Sequence, residues 1–270
     1  VSDVQPIEKP RPRPPAVAWV LTTAGFILLY APLVALVAYS FLAPVAGPGS
    51  PLGFSWQWYQ KALSNPEILS ALNTSLWVGV WSTLCATILG TAAAFAIERY
   101  RFPARDFLLV LSHVPLIMPE IVLGLALLIW FVLLEISLGT FSIILAHVTF
   151  SVSYVIITVR ARLGDFDESL EEAARDLGAT PFQTFSRVTF PIIWPGVLSG
   201  ALMAFTLSFD DFLITFFTAG VGSDTLPLKI YAMVKFGVSP EINAISTLML
   251  AVTLVLVLVF FRPPRSRAKS

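Results

Sequence analysis

Apolar residues in this chain fall in long blocks, and charged residues cluster between them. A membrane-crossing helix needs about 20 mostly apolar residues. Six blocks reach that length: Val17 to Phe41, Leu69 to Ile97, Phe107 to Leu134, Thr140 to Val159, Ile192 to Phe217 and Ile242 to Phe261. The predicted fold is therefore all-α, a polytopic membrane protein with six transmembrane helices. Composition agrees. The 270 residues are 56% hydrophobic and 13% charged, with a mean hydropathy of +0.81. A water-soluble domain carries about 25% charge, so too little polar surface remains to face water on every side.

The formal net charge is zero, and the distribution of charge is what informs. Lys9, Arg11 and Arg13 precede the first block; Arg99, Arg101 and Arg105 lie between the second and third. Arg160, Arg162, Arg175 and Arg187 lie between the fourth and fifth, and Arg262, Arg265, Arg267 and Lys269 follow the sixth. The opposite side has Lys61, Lys229 and Lys235. Basic residues concentrate on the cytoplasmic side of membrane proteins, so both termini and the 160–190 loop are expected in the cytoplasm of a bacterial cell. The expected organisation is a mobile Pro-rich cytoplasmic N-terminus over 1–15, a transmembrane domain over 16–262 and a basic tail over 263–270.

No cleavable signal peptide is expected, because a Pro-rich stretch and no short apolar region with a small-residue cleavage site precedes the first block. The single cysteine, Cys85, excludes an internal disulfide and reads as a small buried hydrophobe. Trp56, Trp58 and Tyr59 in an external loop suit the membrane–water boundary.

The cytoplasmic loop 160–191 carries the most information. Asp167 is placed to cap a short helix, with Glu168, Glu171 and Glu172 in its early turns, where the helix dipole favours acids. Leu170, Ala173, Ala174 and Leu177 share one face, and Gly178 supplies the stop. Thr180, Pro181 and Gln183 then fit an N-cap, first helical position and capping box, starting a second helix that Pro191 is expected to end at the membrane. Small residues at Ala173 and Ala174 let another protein approach closely. Periodicity alone allows either a docking elbow or a plain connecting hairpin.

Glu172-Ala173-Ala174, Gly178 and Val188-Thr189-Phe190-Pro191, spaced as they are, resemble the EAA signature of ABC importer permeases. Val188 and Phe190 depart conservatively from the consensus Ile and Leu. The resemblance implies that the elbow docks in a groove of a separate ATPase subunit and conveys its closure to the spans. Glu172 and Gly178 carry over as the main coupling residues, with Glu171, Asp176 and Ala173 as weaker candidates. No phosphate-binding loop of the G-x-x-x-x-G-K-[ST] type occurs. No cofactor is expected in this chain; ATP and Mg belong to the partner ATPase, and the chain is expected not to be an enzyme.

Acids also fall inside the blocks: Glu120 in the third, Asp210 and Asp211 in the fifth, with no Lys or Arg in any block to neutralise them. A straight helix places Glu120 about 20 Å deep at about 1.5 Å per residue. A carboxylate at a helix centre costs about 2.5–3.5 kcal/mol on insertion scales, so it calls for a partner or a use. A cation in transit is one such partner. The adjacent aspartates point about 100° apart on a helix, so one faces the path while the other caps a broken helix or bonds to a neighbouring span. Protonated, hydrogen-bonded acids between helices, or acids in a wet vestibule, are the alternatives. Pro115 and Pro119 bracket a segment of the third block that is either loosened or simply kinked. His113 and His147, in apolar runs without a metal-ligand set, read as satisfied core histidines.

Ser208-Phe209-Asp210-Asp211-Phe212, Leu226 to Lys235, Gly237 to Ala244 and His147-Val148-Thr149-Phe150 resemble the second permease of spermidine/putrescine importers, over nearly the whole chain. That resemblance implies a complex with a sister permease, two copies of an ATPase and a periplasmic polyamine-binding protein in the inner membrane bilayer, and no nucleic acid. It also implies an acid at the position of Glu120 and contact of Lys229 and Lys235 with the binding protein. Importers of thiamine or ferric iron stay open as alternatives. A proton-coupled secondary transporter would show inverted repeats, and none is apparent. An anion importer would be expected to line its path with Arg or Lys.

Overall fold

A computed structural model describes residues 16–44, 51–164, 166–237 and 240–260. The segments expected to form the N-terminal extension and the basic tail lie outside the described residues. Twelve helices follow in chain order: α1 Ala16–Ser40, α2 Gln57–Ser64, α3 Pro66–Arg99, α4 Arg105–Ile117, α5 Glu120–Leu133, α6 Thr140–Gly164, α7 Ser169–Asp176, α8 Pro181–Thr184, α9 Phe190–Asp210, α10 Leu213–Thr218, α11 Leu226–Phe236 and α12 Glu241–Phe260. A short antiparallel pair, β1 Leu42–Pro44 and β2 Leu52–Phe54, stands between α1 and α2.

Five helices are long and apolar enough to cross a membrane, and the bent pair α4–α5 makes a sixth crossing if counted as one. The centre is α3, α6 and α9, packed through Ala86, Ala94, Val155, Val159, Val197 and Ala204. Small residues let the backbones approach where no water-driven force acts between helices. By contrast α1 presents apolar side chains that are mostly exposed and packs chiefly on α12. Such a helix is solvated by hydrocarbon.

The breaks take forms that the prolines and the aspartate pair allowed, and two expectations, the depth of Glu120 and the helix end at Pro191, are corrected. The third block bends by 114° between α4 and α5, the loosened alternative rather than a simple kink. Met118 and Pro119 between them are extended (ψ 136° and 132°), as expected of a residue before proline and of a chain that has lost two amide donors, at Pro115 and Pro119. A depth for Glu120 counted along one straight axis therefore does not apply. The fifth block breaks at Asp211, which is extended (ψ 130°), so α10 is a separate short helix. Pro191 does not end its helix. Residues Phe185–Thr189 form a π turn that runs α8 directly into α9, with the Phe190 amide reaching back to Phe185. The wider turn accommodates the proline that follows it.

Beside the β1–β2 pair, the rings of Phe41, Phe54, Trp56 and Tyr59 pack on one another. α11, which the sequence reading left unassigned, packs over α3 and α12.

Candidate functional site

The elbow between α7 and α8 has the caps and turn its sequence suggests. Asp167 accepts from the Ser169 amide at 3.0 Å, and Thr180 and Gln183 form a reciprocal capping box. Between them Gly178 adopts φ +87°, which costs a side-chain-bearing residue about 1–2 kcal/mol, while the Ala179 amide closes on the Ala174 carbonyl. Glu171 turns inward. Its Oε1 accepts from Thr189 Oγ1 at 2.5 Å and from Arg99 Nη2 at 3.1 Å. Glu172, Ala173 and Asp176 are exposed, and Ala174 is half-buried. Leu177 is 90% and Phe182 78% exposed, and Leu170 also faces outward, so the elbow holds out an apolar surface on a loop that is otherwise polar. Such a patch marks an interaction site.

At membrane depth the two helix breaks face each other. Glu120 opens α5 at the first break, and Asp210 closes α9 at the second. Together they line a cavity of about 290 Å³ with Asp211, Phe150, Tyr154 and Thr206. No Lys or Arg is among its lining residues. The three acids singled out in the sequence thus come together from two spans, but in different states. Glu120 and Asp210 are exposed to the cavity, and Asp210 accepts from Thr253 Oγ1 at 3.2 Å. Asp211 is turned into the protein: its side chain is 6% exposed. It binds the Thr215 amide at 2.7 Å and hydroxyl at 2.8 Å, and the Ile214 amide at 3.3 Å. It caps α10, one of the alternatives the adjacent pair allowed. Asp210 also borders a second cavity of about 340 Å³ towards α11 and α12, with Ile230, Ser246 and Met249.

His147 is fully buried beside Asp211, with partners at both ring nitrogens: Ser208 Oγ at 2.7 Å, Thr215 Oγ1 at 3.0 Å and Asp211 Oδ2 at 3.2 Å. It is a satisfied core histidine, yet also a partner of the acid, which spacing alone did not reveal. His113 Nδ1 meets the Leu109 carbonyl of its own helix at 2.6 Å. Gly124 keeps α5 against α10: a Cβ there would meet the Phe217 ring at 2.9 Å and Ile214 Cα at 3.3 Å.

Lys229 is held in an ion pair with Glu67, and Lys61 pairs with Glu241. Lys235 is exposed beside the Phe236 ring. Cys85 is half-buried.

Residues 86–262 match the family described as binding-protein-dependent transport system inner membrane component. The chain is 40% identical over 236 residues to the spermidine/putrescine transport system permease protein PotC of Escherichia coli (strain K12), covering 87% of this chain and 89% of that protein. It is 42% identical over 242 residues to the putrescine transport system permease protein PotI of the same strain, covering 86% and 84%. Among solved structures, a bacterial ABC transporter involved in import of the acidic polysaccharide alginate superposes with a TM-score of 0.70 at 17% identity, over 90% of this chain and 94% of that one. At that identity the likeness speaks for the fold.

Proposed function

The chain belongs to the family of binding-protein-dependent transport system inner membrane components, and from that premise we propose that it forms, with a sister permease, the inner-membrane path of an ATP-driven importer of polyamine cations. It is a transport subunit of a bacterial ABC importer and not an enzyme. In this reading the termini lie in the cytoplasm, two ATPase subunits supply ATP and Mg chemistry, and a periplasmic polyamine-binding protein delivers the cargo.

The observation that carries the cargo assignment is the cavity between the two helix breaks. It presents Glu120 and Asp210 without a basic residue among its lining. Carboxylates there are costly in isolation, and an ammonium group beside them offsets that cost while replacing part of its own lost hydration. An anion entering the same space would meet only repulsion. Names of relatives supported by 40–42% identity point to the same chemistry.

Force enters at the elbow. Glu172, Ala173, Asp176 and Gly178 present the outward face that the ATPase would grip, together with Leu177 and Phe182. Glu171 and Ala174 serve from behind, Glu171 through the Arg99 and Thr189 contacts that tie the elbow to α3 and the π turn. On the outer side Lys235 is the freer of the two candidate contacts for the binding protein, since Lys229 is engaged by Glu67.

The test is ATP hydrolysis and uptake by the assembled complex in proteoliposomes with its cognate binding protein. Putrescine or spermidine should stimulate both, and an uncharged analogue should not. Stimulation by thiamine, ferric iron or an anion in place of a polyamine would reject the cargo assignment.

A further inference from the structure

The contacts around His147 join four helices at the break in span five. Ser82 Oγ has a single proton and sits 2.6 Å from the Val78 carbonyl oxygen, which can only accept. Ser208 Oγ lies 2.9 Å from Ser82 Oγ and 2.7 Å from His147 Nδ1. On the other edge of the ring, Nε2 faces Thr215 Oγ1 at 3.0 Å and Asp211 Oδ2 at 3.2 Å. Thr215 gives its hydroxyl proton to the same Oδ2 at 2.8 Å, so neither neighbour has one left for Nε2. Both contacts become favourable only with a proton on Nε2. The tautomer that fits therefore carries its proton on Nε2, towards Asp211 and Thr215, with Nδ1 facing the Ser208 hydroxyl.

We infer that His147 and Asp211 form an internal hydrogen-bonded pair that fixes the break in span five, so that Asp211 is a positioning residue and this chain offers its cargo the charges of Glu120 and Asp210. The cluster ties α10 to α6 through His147, to α9 through Ser208 and to α3 through Ser82. Those three helices are the packed centre of the fold, so the junction beside Asp210 is anchored to its least deformable part. The pair also satisfies both groups at a site with little access to solvent, because His147 is fully buried and the Asp211 side chain is 6% exposed. Only the statement about cargo rests on the polyamine reading. The pair itself does not.

Two measurements on the assembled complex test this. In the first, the thermal unfolding midpoint is compared for wild type, His147→Gln, Asp211→Asn and the double variant. Each single variant should lower the midpoint, and the double should fall no further than the worse single, because groups in one network do not contribute independently. Simple addition of the two effects would overturn the pairing. Should His147→Gln fail to assemble, Ser208→Ala carries this arm: it removes the hydroxyl at Nδ1 and should lower the midpoint, and an unchanged midpoint would overturn the network.

The second exploits the single cysteine. In a Cys85→Ser background, Glu120→Cys and Asp210→Cys should react with a cationic thiol reagent, read by mass on this chain, and putrescine should slow that reaction several-fold. Asp211→Cys should stay at least tenfold slower. Adding His147→Gln should change the reactivity of Asp210→Cys several-fold and leave Glu120→Cys alone, a readout that loss of general stability would not separate in this way. Equal reactivity at positions 210 and 211, or no effect of His147→Gln on position 210, would overturn the positioning role. Absence of putrescine protection alone would instead reject the cargo reading.

Discussion

Replacing Glu171 by Ala should release the elbow from the membrane domain. α7 has eight residues, far too few to be stable by itself in water, so its position depends on what holds it. Glu171 Oε1 accepts from Thr189 at 2.5 Å and Arg99 at 3.1 Å, with side chains of Arg99 and Glu171 only 11% and 10% exposed. Hydrogen bonds to charged groups contribute about 1.5–3 kcal/mol each, and stripping one partner from a buried pair costs about 3–5 kcal/mol. Arg99 keeps Glu168, whose side chain is 74% exposed and so a weaker partner. The lower end, about 3 kcal/mol, is the expected cost, which is on the order of a hundredfold in the equilibrium between docked and released elbow. Amide hydrogen exchange across 169–184 in the nucleotide-free complex reads that equilibrium. Exchange should accelerate on the order of a hundredfold in Glu171→Ala and stay unchanged in Glu172→Ala, whose side chain is exposed. Acceleration below about threefold in Glu171→Ala would refute the reasoning, because the ion pair would then not be what holds the elbow.

Gly178→Asp, forced into φ +87° on the outward face, should abolish uptake while leaving the amount of protein in the membrane unchanged; wild-type uptake would remove Gly178 from coupling. Gly124→Val should lower the unfolding midpoint by the equivalent of about 1–3 kcal/mol, because the Cβ would meet Phe217 at 2.9 Å in a packed contact. The start of α7 should also respond to acid. Bonds from the Ser169 side chain, then its amide, hold the Asp167 carboxyl below its usual 3.8. Its contribution is therefore present above that value and disappears as pH falls through the lowered one. Protection at the start of α7, measured against the intrinsic exchange rate at each pH, should be flat from about pH 8 to 5 and fall below about 4, and Asp167→Ala should lower protection above that range and make the fall smaller.

The membrane-crossing helices were legible because lipid imposes the simplest pattern there is: about 20 apolar residues in a row. The ends of the elbow were legible for a related reason. Caps and stops depend on single residues with specific backbone chemistry, so Thr180, Gln183 and Gly178 could be assigned by inspection, and all three do what their chemistry requires. Pro191 misled because one residue's missing donor was weighed without the helix around it. A π turn over Phe185–Thr189 absorbs the proline and carries the helix on. α11 went unassigned for the opposite reason: its Pro227 and two lysines hide an 11-residue helix behind loop-like composition.

Breaks within spans set the limit for the site. Composition reports how apolar a segment is and is silent on whether the backbone continues, so the third block reads equally as loosened or kinked at its prolines and the fifth as whole or broken at its aspartates. Yet the breaks are what give the acids their separate tasks. On an unbroken helix Asp210 and Asp211 would differ only by the turn angle. With the chain extended at Asp211, that residue is free to fold back onto the amides of Ile214 and Thr215 and to meet His147 from α6, 64 positions earlier in the chain, while Asp210 remains on the cavity side. Which of two neighbouring carboxylates is consumed internally is decided by a contact between distant segments, and no local spacing encodes it. The sequence did contain one usable sign: a histidine in an apolar block of a chain that has only two. A buried imidazole needs partners at both nitrogens, and the acids in the spans were among the few groups at that depth able to serve. Asking what satisfies the histidine, rather than what satisfies the acids, separates Asp211 from Asp210.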